Sequence, residues 1–177
     1  SYGHRHSPVY LIFLSLFKKI GLSIENIRFL HLNLSLLLII SFYKCLIFKF
    51  DKVEKNILLL LSLTIFLSPT FRSLAIWPSS RLIGLIFFVF STYEFLKFLK
   101  DPKKIYMWKN IIFLIISSYV SPNFSLFLIF FVYHYLKKVS FKDLIILLLF
   151  CFISSIPAFY YIFILDVNFL LAGTPGV

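Results

Sequence analysis

From Leu32 to Phe48 the chain is nearly pure hydrocarbon, and comparable runs recur along it, several closed by lysines. A run of this kind needs lipid or a large protein core around it. In lipid its backbone must satisfy itself, so it must be a helix. Hydrophobic residues make up 60% of the 177 and charged residues 14%, against about 45–50% and about 25% in soluble domains. A soluble enzyme, a disordered tail and a disulfide-stapled secreted domain are excluded. The expected fold is all-α: a polytopic transmembrane bundle of about six spans plus one interfacial amphipathic helix.

The chain carries a formal charge of +11. In a soluble protein that excess would suggest nucleic acid. Here the positive residues cluster in short loops between apolar runs, which marks membrane orientation, and no nucleic-acid partner is expected. Residues 1–22 form an outer-side loop and interfacial helix: a polar segment, then Pro8 to Phe17, too short to span. Residues 23–177 form the bundle, and the whole is one transmembrane domain. Ser23 is placed to cap the first span. Further spans are expected over about 56–67, 81–98, 110–120, 124–136 and 144–165, with a turn at Pro122 and a kink at Pro157. Only 5 glycines are present, which argues against close Gly-zipper packing.

Loops 49–55, 97–109 and 137–142 are rich in Lys; loops 68–81 and 121–123 are not. The two sets alternate, so the lysine loops are assigned to the cytoplasm and segments 1–28, 68–81, 121–123 and 166–177 to the outside. The expected location is a bacterial inner membrane, crossed several times, with the N-terminal segment outside. The chain reads as a piece of a longer protein.

The outer side holds the unusual polar residues: His4 and His6 before Pro8, Arg28 and His31 about one turn apart, and Arg72 and Arg81 framing a loop with Trp77 and Pro78. An arginine near the bilayer pairs with an anion, faces a wet cavity or snorkels to head groups. Its fork suits phosphate. His4, His6, Arg28, Arg72 and Arg81 are therefore the candidate substrate-binding residues, with membrane lipids as neighbours. His4 and His6 have no clear third ligand, so no metal or other cofactor is expected. Glu94 stands three residues before Lys97 and should pair with it. Cys45 and Cys151 read as small buried hydrophobes.

The series His6-Ser7-Pro8-Val9-Tyr10, a short apolar helix, Gly21, then Ser23-Ile24-Glu25 and Arg28 opening a long span, resembles a segment of the GT-C type of multispanning glycosyltransferases. Their pattern is roughly His-Pro-Pro-Leu-Tyr, an apolar helix, Phe-Gly, a short acidic turn and an Arg. Ser7 stands where the first Pro would be, and the match covers about residues 4–48. The resemblance implies transfer of a sugar from a polyprenyl-phosphate donor to an acceptor at the outer face. It implies a catalytic acid upstream of Ser1, with His6 near the active cavity and Arg28 toward the lipid phosphate. Three other readings stay open: a lipid-linked glycan polymerase, a transporter or flippase, and a non-catalytic membrane assembly subunit.

Overall fold

The computed structural model describes residues 8–163. Eight α-helices follow one another: α1 (Pro8–Lys19), α2 (Ile24–Lys49), α3 (Lys55–Leu63), α4 (Pro69–Ile76), α5 (Ser80–Lys100), α6 (Lys104–Val120), α7 (Phe127–Tyr135) and α8 (Phe141–Phe163). Single 3₁₀ turns precede α4 (Thr64–Leu67) and α7 (Pro122–Leu126). No strand occurs among the described residues.

The helix ends follow from local chemistry. Ser23 accepts a bond from the Asn26 N–H, and Ser68 accepts one from Phe71 with Pro69 in the first turn. Ser140 accepts from the Asp143 N–H. Each satisfies a donor that the first turn leaves orphaned. At the other end of α1, Gly21 turns the chain at φ +86°, a left-handed conformation that glycine adopts without steric cost.

The bundle buries polar side chains among its apolar core and leaves many large apolar ones on its surface. His31, Ser35, Ser91, Asn110 and Ser117 are buried, while Leu60, Ile129, Leu149, Phe152 and Ile153 are exposed. Buried serines on α2 and α3 return their hydroxyls to their own helix, as Ser35 does to the Leu32 carbonyl and Ser62 to that of Leu59. An apolar exterior around such self-satisfied serines suits a lipid solvent.

Helices α5 and α6 form the central hairpin. Asn110 donates to the Ser91 carbonyl at 2.9 Å and to its hydroxyl at 2.8 Å. The Ser91 hydroxyl donates back to the Asn110 carbonyl at 2.9 Å. The Tyr135 hydroxyl donates to Asn110 Oδ1 at 2.7 Å, which clasps α7 to the same point. Two turns away Ser117 donates to the Gly84 carbonyl at 2.7 Å. A Cβ at Gly84 would lie 2.7 Å from the Ser121 Cβ, so these backbones meet as closely as a side-chain-free residue permits. The low glycine count therefore misleads at this one place, because a single glycine opposite two serines suffices.

The span count differs from the expectation. Among the described residues three helices are long and apolar enough to cross a membrane: Ile24–Lys49, Ser80–Lys100 and Phe141–Tyr160 of α8. A fourth candidate is Lys55–Leu67 with Pro69–Ile76, bent by 72°. The total is three to four rather than about six. The bend falls where Pro69 cannot continue the preceding helix. Helix α6 has 17 residues, about 26 Å at ~1.5 Å each. Helix α7 has 9, because Pro122 winds the chain into a 3₁₀ turn before it. Neither is as long as the ~20 residues of a full span.

In α8, Pro157 has no N–H for the Ile153 carbonyl. The neighbouring Ser154 carbonyl accepts from the Tyr119 hydroxyl of α6. The bond ties α6 to α8 one residue from the carbonyl that the proline leaves without a donor.

Candidate functional site

Contacts between helices gather the charges at two opposite ends. Helix α2 runs parallel to α5: His31 meets Ser79, Cys45 reaches the Val89 carbonyl and Phe48 packs on Tyr93. At the far end of this pair Lys100 lies over the Phe48 ring. Lys104 pairs with Asp143, and Lys138 donates to the Leu99 carbonyl. The three lysine loops therefore share one end of the bundle. Arg28, Trp77 and Pro78 lie at the other.

At the lysine end the expected Glu94–Lys97 pair is present at 2.7 Å. Glu94 is buried, and its Oε2 has no hydrogen-bond partner among the described residues. His134 packs edge-on against the Phe95 and Phe130 rings. Cys45 and Cys151 are free thiols; Cys45 is buried and Cys151 half-buried.

The arginine end is organised by His31. This side chain is buried on α2. Its Nε2 lies 3.0 Å from the Leu74 carbonyl and 3.2 Å from the Ser79 nitrogen. The two partners flank the segment between α4 and α5. The Leu74 carbonyl is one of the unsatisfied acceptors at the end of α4. In a longer helix its donor would be residue 78, which is proline and has no N–H. Ser79 caps α5, accepting from the Arg81 N–H at 3.3 Å. His31 therefore lies within reach of both ends of Ala75–Pro78 and, through one nitrogen, bonds one of them at a time.

That segment carries Trp77. The Arg28 guanidinium, three residues before His31, lies over its indole at 3.8 Å from the ring centroid. This distance is well inside cation–π range. Arg28 and Trp77 border a groove of about 470 Å³ whose other walls are α1, through Leu14, Ser15 and Lys18, and the turn into α2. Its lining is apolar apart from two cations and two serines, Ser15 and Ser23. Among the described residues no carboxylate pairs with Arg28 or Lys18. The capped N-terminus of α2 adds a favourable dipole for an anion. The groove can thus take an amphiphile: apolar walls for a chain, and a fork and an ammonium for an anionic head.

Among the described residues, Arg28 is the one sequence candidate that reaches this groove. Arg72 and Arg81 are exposed on α4 and α5 and do not line it. His4 and His6 lie outside the described residues. Lys18 was not among the candidates. Its place in the groove depends on the turn at Gly21, which folds the end of α1 back toward α2. Tyr10 on α1 is buried, and its hydroxyl has no partner among the described residues. Burial pushes this phenol up to about 12, so it stays protonated at ordinary pH. Among the described residues no group of three or more His, Cys, Asp or Glu could hold a metal ion.

No family model, curated protein or solved structure matches the chain.

Proposed function

We propose that the chain belongs to a membrane glycosyltransferase of the GT-C type, and that its arginine end receives the phosphate of a polyprenyl-phosphate-linked sugar. The observation that supports this reading is the Arg28–Trp77 stack beside Lys18, in an apolar groove with no carboxylate against either cation. A phosphate between the two would exchange a cation–π contact for charge-assisted hydrogen bonds, which are about twice as strong as neutral ones. Transfer breaks the bond between sugar and phosphate and leaves more negative charge on the phosphate. Cations already in place stabilise that charge as it develops. The acceptor hydroxyl needs a base, and the resemblance assigns it to an acidic residue upstream of Ser1. Under this reading the lysine loops are cytoplasmic, the groove faces outward, and the membrane is a bacterial inner membrane.

The test is sugar transfer by the full-length protein in proteoliposomes supplied with a radiolabelled polyprenyl-phosphate sugar. The expected result is transfer that Arg28→Gln lowers roughly 10- to 100-fold, the value of one charge-assisted bond. Absence of donor consumption by the wild-type protein overturns the proposal.

One observation favours the transporter or flippase reading instead. Glu94 buries a carboxylate oxygen without a partner, and ionisable groups within membranes mark transport pathways. Substrate flux across sealed vesicles that is lost in Glu94→Gln, without glycosyl transfer, is the result that would select it.

A further inference from the structure

We infer that His31 is a proton-operated latch on the groove wall, and that its protonation releases the Trp77–Ser79 segment from α2. The inference rests on the groove reading above and adds a means of regulating that site. Its basis is one nitrogen with two partners of opposite kind. The Leu74 carbonyl only accepts, and the Ser79 N–H only donates. Imidazole Nε2 either carries a proton or presents a lone pair, never both. With the proton on Nε2 the ring holds Leu74. With the proton on Nδ1 it holds Ser79. Neutral His31 therefore has two arrangements, each leaving one backbone group without the ring as its partner.

Protonation removes the choice. Imidazolium carries hydrogen on both nitrogens and accepts nothing. Its Nε2–H keeps the Leu74 carbonyl and turns toward the Ser79 N–H, donor against donor. The bond to the start of α5, open only to the Nδ1–H tautomer, is withdrawn altogether, while the end of α4 stays fastened. Trp77 and Pro78 lie between these two points, and Trp77 carries the contact with Arg28.

At this end of the packed elements the charged groups are Glu25 and Arg28 on α2, Arg72 on α4 and Arg81 on α5; Lys44, Lys49, Glu94, Lys97 and Lys100 stand toward the other end. Lys18 stands across the groove. Of the groups at this end four are cations, and Glu25 is exposed on the first turn of α2. A second positive charge at His31 adds repulsion for Arg28 in the same step.

A glutamine at position 31 separates the two roles. Its amide places an acceptor oxygen and a donor nitrogen at about the depth of Nε2, so it can serve Ser79 and Leu74 together, and it does not titrate.

The experiment uses the full-length chain in detergent micelles, with every tryptophan except Trp77 replaced by phenylalanine. Emission is followed from about pH 8 down to about pH 4, which extends below the range in which an unburied histidine changes charge. The expected result is one reversible transition fitting a single proton in the His31 protein, and a flat profile in His31→Gln. Circular dichroism at both pH limits must show unchanged helix content in each protein. A flat profile in the His31 protein overturns the latch. A transition that persists in His31→Gln assigns the change to another group and overturns it too. Glycosyl transfer measured across the same pH range is a separate readout: its absence at every pH defeats the proposed function but leaves the emission result intact.

Discussion

The junction of Ser91, Asn110 and Tyr135 permits a quantitative test of how this bundle holds together. Asn110→Leu keeps the branched outline of the side chain, in a larger volume, and removes the bonds to Ser91 and Tyr135. The Ser91 hydroxyl keeps its bond to the Asn110 backbone carbonyl. The Tyr135 hydroxyl keeps nothing, at a site with 0% exposure. Interhelical hydrogen bonds in membranes average about 0.6 kcal/mol and reach about 1.7. An orphaned buried hydroxyl costs about 1–3 kcal/mol. The expected cost of Asn110→Leu is therefore about 2 kcal/mol. Tyr135→Phe leaves only a carbonyl lone pair unmet and should cost about 1 kcal/mol. In the double variant no hydroxyl is orphaned, so the combined loss should fall short of the sum by about 1 kcal/mol. The assay is reversible unfolding by SDS in mixed micelles, followed by circular dichroism for the parent, both single variants and the double variant. Losses that add to within about 0.3 kcal/mol, the tolerance for independent sites, would refute the clasp.

Three other outcomes follow from the same geometry. Gly84→Val should destabilise the protein by about 1–3 kcal/mol, the usual cost of overpacking, because its Cβ would meet that of Ser121 at 2.7 Å; an unchanged SDS midpoint counts against the close approach. If the lysine end is cytoplasmic, Ser73→Cys should react with an impermeant maleimide on intact cells and Val53→Cys only after permeabilisation, and the reverse pattern would invert the proposed orientation. Lys18→Gln, at an exposed position, should weaken use of the lipid-phosphate donor several-fold with little change in stability, whereas equal transfer by both proteins would remove Lys18 from the site.

The long elements were legible because hydropathy and caps report directly on them. Ser23, the run from Leu32 to Phe48 and the lysines behind it locate α2. The 81–98 run lies within α5, and 144–165 largely matches α8. What sequence could not supply was pairing. Asn110 reads as the polar boundary of an apolar run, yet it is fully buried because α5 presents Ser91 opposite it. Gly84 reads as an isolated glycine until Ser117 and Ser121 arrive from α6. Arg28 and Trp77 are 49 positions apart and meet only because α3 and α4 return the chain to the start of α2. Arg72 and Arg81 share a loop with Trp77 in the sequence, but neither lines the groove. Type and spacing identify a helix face; which face meets which depends on helix rotation, and hydropathy carries no record of rotation.

The α5–α6 register has a consequence for biosynthesis. Ser91 faces Asn110 and Gly84 faces Ser117, so both contacts lie seven residues apart along each helix. Helix α6 carries Asn110, Ser117 and Ser118 within 17 residues, and two of these polar groups find their partners on α5. A nascent α6 leaving the translocon alone would expose them to acyl chains. Helix α5 emerges first and offers a polar seam already spaced to receive them. The natural unit of membrane entry is therefore the hairpin rather than the single helix, and a chain released between residues 100 and 104 would lack the second half of its own insertion signal.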